Sequence, residues 1–215
     1  VLNGDEIGLT AYYNFQENSG TVANDTQTQS NNDGSIKNGP SWSSGPNLSK
    51  MSNSSYENET IDLTSFTNNQ LLVNGSLSIS GSTFNGSGYI VSNGDITISS
   101  NTTINGNIFI ICSGDITMTD SQVGNDLNSP VIIYSKGNAF YNDSIIYGLV
   151  VSKGNSLAFD GSEVYGAILN YSLSFSLAGD TDVVGSVVSK YMVDFQSSLV
   201  SITKGNIPEF TGLAT

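Results

Sequence analysis

The sequence predicts an all-β protein wound as a parallel β-helix, and three observations predict it. Its apolar residues lean to Ile, Val, Leu, Phe and Tyr, which suit a pleated, half-buried surface, and no stretch repeats them at the 3.6-residue period of a helix. Short phrases return at intervals of about 17 to 23 residues, the length of one turn of a solenoid. Each return also carries an apolar run that does not alternate. The competing architecture is an antiparallel sandwich whose strands recur at similar spacing. Against it, hairpin dipeptides do not fall in pairs between the apolar runs.

From residue 75 the chain breaks after its recurring glycines into seven lines: "GSLSISGSTFNGSGYIVSNG", "DITISSNTTINGNIFIICSG", "DITMTDSQVGNDLNSPVIIYSKG", "NAFYNDSIIYGLVVSKG", "NSLAFDGSEVYGAILNYS", "LSFSLAGDTDVVGSVVSK" and "YMVDFQSSLVSITKGNIPEF". An inner glycine recurs at Gly86, Gly106, Gly148, Gly166 and Gly185, where it lets the backbone turn. Two residues before it stand Phe84, Ile104, Ile146, Val164 and Val183. Seven or eight residues before it stand Ile79, Ile98, Phe140, Phe159 and Leu177. Equivalent residues of successive coils stack about 4.8 Å apart, so these sets form two ladders through one core. The coil lengths drift, which departs from a strict hexapeptide repeat and favours right-handed winding. The third line is the longest, and "GNDLNSP" (residues 124–130) is expected to bulge from a corner. The organisation that follows is an N-terminal strand and loop segment, 1–74, laid on a solenoid of about seven coils, 75–210, with a tail at 211–215. Within the first segment, residues 43–74 are rich in Ser and Asn and read as loop.

The runs after the corner glycines are "YIV" 89–91, "IFIIC" 108–112, "VIIY" 131–134, "LVV" 149–151, "AIL" 167–169 and "VV" 187–188. Successive side chains of a strand face opposite ways, so an unbroken apolar run is apolar inside and outside. Which parity points inward at 108–112 is open, but either choice leaves a hydrophobic stripe on one outer face. Tyr89, Phe109, Val151, Leu169 and Val188 represent it. A stripe of that extent is an association surface unless covered. Residues 1–74, a helix not present in this chain and a partner subunit are the three candidate covers.

Charge excludes several classes. Six Lys or Arg residues, all Lys, stand against 19 Asp and Glu, for a net charge of −13, with no His. Nucleic acid and anionic membrane surfaces both require clustered positive charge. Without His or Arg the chain lacks the commonest general base, a common zinc ligand and the bidentate clamp for carboxylate or phosphate. Catalysis is therefore not expected, and no cofactor is required. The single cysteine, Cys112, lies in "IFIICS" and reads as a small buried residue. No signal peptide or 18-residue apolar span is visible, and the chain opens at Val1, as a mature form or a piece cut free of an anchor would.

Two groups of polar residues are candidate sites. Asp160, Glu163, Asp180 and Asp182 gather in adjacent coils, where stacking would make an oxygen-rich site for calcium or a solvated acidic edge. Tyr147 and Tyr165 precede corner glycines and would either stack on a sugar or simply pack together. The alternating hydroxyl residues of "TIS" 97–99 and "TMT" 117–119 occupy only two coils, too few for a flat ice-binding face.

The opening "GLTAYYNFQENSGTVANDTQTQSNNDGSIKNGPSW" (residues 8–42) resembles the start of laminin G-like, concanavalin A-like domains, through Gly8, Leu9, Ala11, Tyr12, Tyr13 and Phe15, then Asn32, Asp33, Gly34 and Trp42. The later strands of that family are missing, so a whole lectin domain is not implied. The solenoid lines resemble two bacterial families. One is the bactofilins, cytoplasmic β-helices that join end to end. The other is a β-helical domain of pilus-assembly proteins, similar to "VYGAILNYSLSFSLAGDTDVVGSVVSKYMVDFQ" (residues 164–196). The second resemblance implies a non-catalytic, extracellular structural or adhesive protein, the ectodomain of a minor type IV pilin or pilus-tip subunit. Its expected partners are other pilin subunits or an N-terminal anchoring helix, with a surface glycan or protein as a further ligand.

Overall fold

The computed structural model describes residues 53–205 and, ahead of them, the short strands β1 (Val22–Ala23) and β2 (Gly34–Ser35), which pair antiparallel. The chain divides into two units, Val1–Leu48 and Ser49–Thr215. The residues Gly8 to Phe15 that open the laminin G-like resemblance, the packing of the N-terminal segment on the solenoid, and the tail at 211–215 all lie outside the described residues.

Residues 54–203 make a parallel β-solenoid of about eight coils. The first coil is β3 (Ser54–Glu57), β4 (Thr60–Asp62) and β5 (Gln70–Val73). The second is β6 (Leu77–Ser80), β7 (Thr83–Asn85) and β8 (Gly88–Ser92); the third is β9 (Ile96–Ser99), β10 (Thr103–Ile104) and β11 (Ile108–Cys112). The fourth comprises β12 (Ile116–Thr119), β13 (Gln122–Val123) and β14 (Val131–Ser135). In the next three coils the second and third strands fuse: β15 (Ala139–Asn142) with β16 (Ile145–Ser152), β17 (Ser156–Asp160) with β18 (Glu163–Asn170), and β19 (Ser174–Ala178) with β20 (Asp182–Ser189). The last described coil holds β21 (Val193–Phe195) and β22 (Ser201–Thr203).

Three faces result. The first is the eight-stranded sheet from β3 to β21. The second is the row β4, β7, β10 and β13, and the third is the row β5, β8, β11 and β14. Both rows join β16, whose two halves continue them through β18 and β20. Where the halves meet, Gly148, Gly166 and Gly185 stack with positive φ, and a Cβ on any of them would fall within about 2 Å of a carbonyl oxygen of the preceding coil. Residues 124–130 occupy this same corner between β13 and β14, so the expected bulge is present.

The solenoid starts one coil earlier than the glycine-anchored lines imply. Residues 54–73, expected as loop, pair in parallel with the second coil, with Tyr56 opposite Ile79, Ile61 opposite Phe84 and Leu71 opposite Ile90. The corner position held by Gly86 in the next coil is held here by Leu63, which is fully buried. A search anchored on glycine passes over it.

The first ladder runs Ile61, Phe84, Ile104, Val123, Ile146, Val164, Val183 and Ile202. The second runs Tyr56, Ile79, Ile98, Met118, Tyr141, Phe159, Leu177 and Phe195. Tyr141 replaces the expected Phe140, which lies on the outward side and pairs with Ala158. Hydrophobicity favours Phe inside, but strand alternation couples this position to its neighbours. Ala139 packs inward beside Leu157, so the second residue after it must also face in. The cost is visible: the Tyr141 hydroxyl is buried with no hydrogen-bond partner, while its ring stacks on Phe159 at 4.7 Å.

The returning phrase Gly-Asp-Ile-Thr marks the corner between the third and first faces. Asp95 Oδ1 accepts from the Asp115 N–H at 2.8 Å, Asp115 Oδ1 from the Asn138 N–H at 2.7 Å, and Asn138 Oδ1 from the Ser156 N–H at 3.0 Å. Gly94, Gly114 and Gly137 lie over one another just ahead of these carboxylates and amides. A Cβ on Gly114 would fall 2.2 Å from Asp95 Oδ1, so no larger residue fits. Each coil's side chain thus satisfies the backbone of the next where the sheets leave N–H groups unpaired.

Two predictions follow from the ladders. Ile104→Ala or Val164→Ala removes a fully buried branched side chain and should cost about 2–4 kcal/mol in denaturant unfolding; near-neutral values for both would reject this register. Tyr141→Phe removes the orphaned hydroxyl and should raise stability by about 1 kcal/mol. A marked loss there would mean the hydroxyl has a partner and the fifth coil is placed wrongly.

Candidate functional site

Alternation along the third face settles the parity that the sequence leaves open. Ile108, Ile110 and Cys112 point inward, and Phe109 and Ile111 outward. Outward residues form two columns. One runs Gln70, Tyr89, Phe109, Ile132, Leu149, Ala167 and Ser186, and the other Leu72, Val91, Ile111, Tyr134, Val151, Leu169 and Val188. All five residues chosen from the sequence lie on this face, Tyr89 and Phe109 in the first column and Val151, Leu169 and Val188 in the second. Tyr89 is 39% and Val188 58% exposed, while the stacked residues between are half-buried by their own neighbours. Tyr89 lies over Phe109 with ring centroids 5.1 Å apart.

The other outward surfaces are different. On the first face, the columns contain Ser78, Thr97 and Thr117, then Ser80, Ser99 and Thr119. On the second they contain Thr83, Thr103, Gln122, Glu163 and Asp182. Phe140 and Ala158 also face outward on the first face, and Ile145, Tyr147, Tyr165 and Val184 on the second, so what sets the third face apart is an apolar column unbroken over seven coils.

A row of lysines borders that face, and sequence reasoning missed it. Lys136, Lys153 and Lys190 share one corner position with Tyr171, which stands between the last two, and each follows a member of the column Ser135, Ser152, Asn170 and Ser189. Three of the chain's six basic residues thus share one edge. The Lys153 ammonium lies 5.6 Å from the Tyr134 ring and 5.8 Å from the Tyr171 ring, and that of Lys190 5.2 Å from Tyr191. The recurring "SKG" at 135–137 and 152–154 is the signal that would have found it.

Among the described residues no group of three or more His, Cys, Asp or Glu side chains is placed to hold an ion. Glu163 and Asp182 are direct neighbours in register, an unfavourable pairing of like charges, and each is engaged by a hydroxyl. The Tyr165 hydroxyl donates to Glu163 Oε2 at 2.7 Å, and the Ser201 hydroxyl donates to Asp182. That bond to Glu163, with some burial, pushes the Tyr165 phenol up to about 12. Asp160 lies at the corner between the first and second faces, and Asp180 is exposed. Tyr147 and Tyr165 stack on each other at 4.8 Å and 10°, each ring serving as the other's neighbour.

Two buried polar ladders also escaped the sequence reading. Ser82, Thr102, Ser121, Ser144, Ser162 and Thr181 are all buried two residues before the first apolar ladder. Each hydroxyl donates to a carbonyl two or three residues back, as Ser144 does to Asn142 at 2.7 Å. Most also accept an N–H from the preceding coil, as Ser162 does from Ser144 at 3.2 Å. The second ladder is Ser92, Cys112, Ser135, Ser152 and Asn170, in which Cys112 takes a serine's place. Its thiol donates to the carbonyls of Gly94 and Asp115 at 3.3 and 3.2 Å. Cys112 is thus a hydroxyl-like donor as well as a small buried residue.

No family model matches the chain, and no curated protein or solved structure matches it. The surface chemistry therefore carries the functional reading.

Burial pushes the Cys112 thiol up from 9.0 to about 11 and raises the phenol of Tyr141 above its ordinary value. The folded state holds these protons more tightly than the unfolded chain. Stability is therefore full below about pH 9 and falls as pH rises towards 11. Cys112→Ser fits the ladder and removes the thiol's share, so alkaline unfolding should begin at higher pH with the neutral-pH fold intact. An unchanged alkaline midpoint would reject this account.

Proposed function

We propose that this chain is a non-catalytic structural or adhesive protein of the bacterial cell surface, the extracellular part of a minor type IV pilin or pilus-tip subunit. The observation that carries the reading is the continuous apolar column on the exterior of the third face, set against mixed, largely polar exteriors on the other two. Seven stacked positions about 4.8 Å apart span roughly 29 Å, and the two columns lie about 7 Å apart. That shape suits one helix of about 20 residues, at 1.5 Å per residue and about 10 Å across. An anchoring helix or the helix of a neighbouring subunit is the occupant we favour. The lysine row along one edge favours an occupant with acidic side chains on that flank. The resemblance of residues 164–196 to the pilus-assembly domain points the same way.

A bactofilin-like polymer is the second reading, and one observation favours it. Phe195, Leu199 and Ile202 are exposed on the last described coil, where strand edges invite a further coil. An enzyme of glycan cleavage is least favoured, because no His or Arg is present to assist a carboxylate pair.

Val188→Lys or Leu169→Lys should leave the isolated chain folded and abolish surface assembly. A side chain buried only at a contact contributes about 1.5–3 kcal/mol to it, and an added ammonium must also be desolvated. Melting curves read beside a pilus-assembly assay decide the matter: variants that melt normally and still assemble would remove the main physical support for the reading. No turnover of common polysaccharides is expected, and an activity lost in Asp182→Ala would restore the enzyme alternative.

A further inference from the structure

We propose that a depression at the corner between the second and third faces, in the first three coils, binds a neutral sugar ring. Its volume is about 300 Å³, at the lower end of small-molecule sites. One wall is the stacked pair Tyr89 and Phe109, and the rim carries Asn68, Asn69 and Asn107. The rim is raised by an addition to the coil. Residues 63–69 separate β4 from β5, whereas only 86–87 separate β7 from β8. The addition ends in Asn68 and Asn69, both at positive φ, and it lies so close over Gly88 that a Cβ there would fall 2.0 Å from the Asn69 carbonyl oxygen.

The chemistry of this lining selects a class of ligand. No charged side chain takes part, so a carboxylate, phosphate or amine finds no counter-charge. Each side-chain amide offers donors and an acceptor together, as a ring of vicinal hydroxyls requires. The amides of Asn68, Asn69 and Asn107 make no hydrogen bond to another described residue, so all three are available. The aromatic pair supplies the apolar surface against which the C–H face of a sugar packs. A second depression of similar volume lacks this combination: it is lined by Asp120 and Asp143 and holds no aromatic ring.

The test titrates methyl glycosides of glucose, galactose, mannose and N-acetylglucosamine into the full chain, with amide NMR as readout. At least one should give saturable shifts at Gly88 and Asn107, with a Kd in the millimolar range. Asn69→Gly keeps the positive φ and removes the amide, and Asn107→Ala removes a second. Each should weaken binding by about tenfold or more with an unchanged melting temperature. Asn69 and Asn107 lie outside the apolar columns, so these variants leave the helix seat unchanged; Tyr89 and Phe109 serve both surfaces, and titration of the isolated chain reads the sugar site with that face bare. The proposal is overturned if no glycoside gives saturable shifts or if both variants bind like the parent. Preferred binding of a glucuronic or sialic acid glycoside, or of a proline-rich peptide, would overturn it as well.

Discussion

Parallel stacking of coils in register is the constraint from which the other features of this protein derive. Backbone hydrogen bonds run along the solenoid axis, so each residue meets its counterpart about 4.8 Å away. Whatever chemistry a position has, it presents as a column. Apolar columns make the core from Phe84 to Val183 without a helix or a second layer. Polar columns can be buried equally well, because the coil above or below supplies the missing partner. The hydroxyl ladder at Ser82 to Thr181 depends on this, since one coil alone would leave those hydroxyls and N–H groups unpaired.

The same constraint explains the corners. Backbones that turn at one place in every coil must approach one another there, and a Cβ would enter the carbonyl of the coil beneath. Glycine therefore recurs for reasons of space as well as dihedral freedom. Beside it, an Asp or Asn accepts the next coil's N–H and pins the register. Where the corner is not limited in this way, the chain can add residues. It does so at 63–69 and at 124–130, and the first addition raises the rim of the proposed sugar site.

Stacking also turns a modest choice of residues into a continuous surface. One outward apolar residue per strand is ordinary, but seven in register form a stripe as long as a 20-residue helix, about 30 Å. The lysines at 136, 153 and 190 are likewise isolated in sequence yet share one corner column, interrupted only by Tyr171, in a chain whose net charge is −13. The pilus reading rests on this juxtaposition of an apolar face and a basic edge.

The fold was legible in the sequence because the period is written in covalent order. Glycines, apolar ladder residues and unbroken apolar runs recur along the chain itself, so the coil, the bulge at 124–130 and the apolar face with Tyr89, Phe109, Val151, Leu169 and Val188 could all be read from it. The first coil escaped because Leu63 stands where later coils have glycine. Tyr141 escaped because strand parity, fixed through Ala139, outweighs the preference for burying Phe140. The partners of Asp182 and Lys153, and the cavity beneath Asn69, depend on residues about 20 positions apart being placed side by side. The sequence by itself determined which chemistry repeats and at what period. Only the tertiary structure decided which repeats face inward and which side chains meet, because that is set by the exact stagger of one coil on the next.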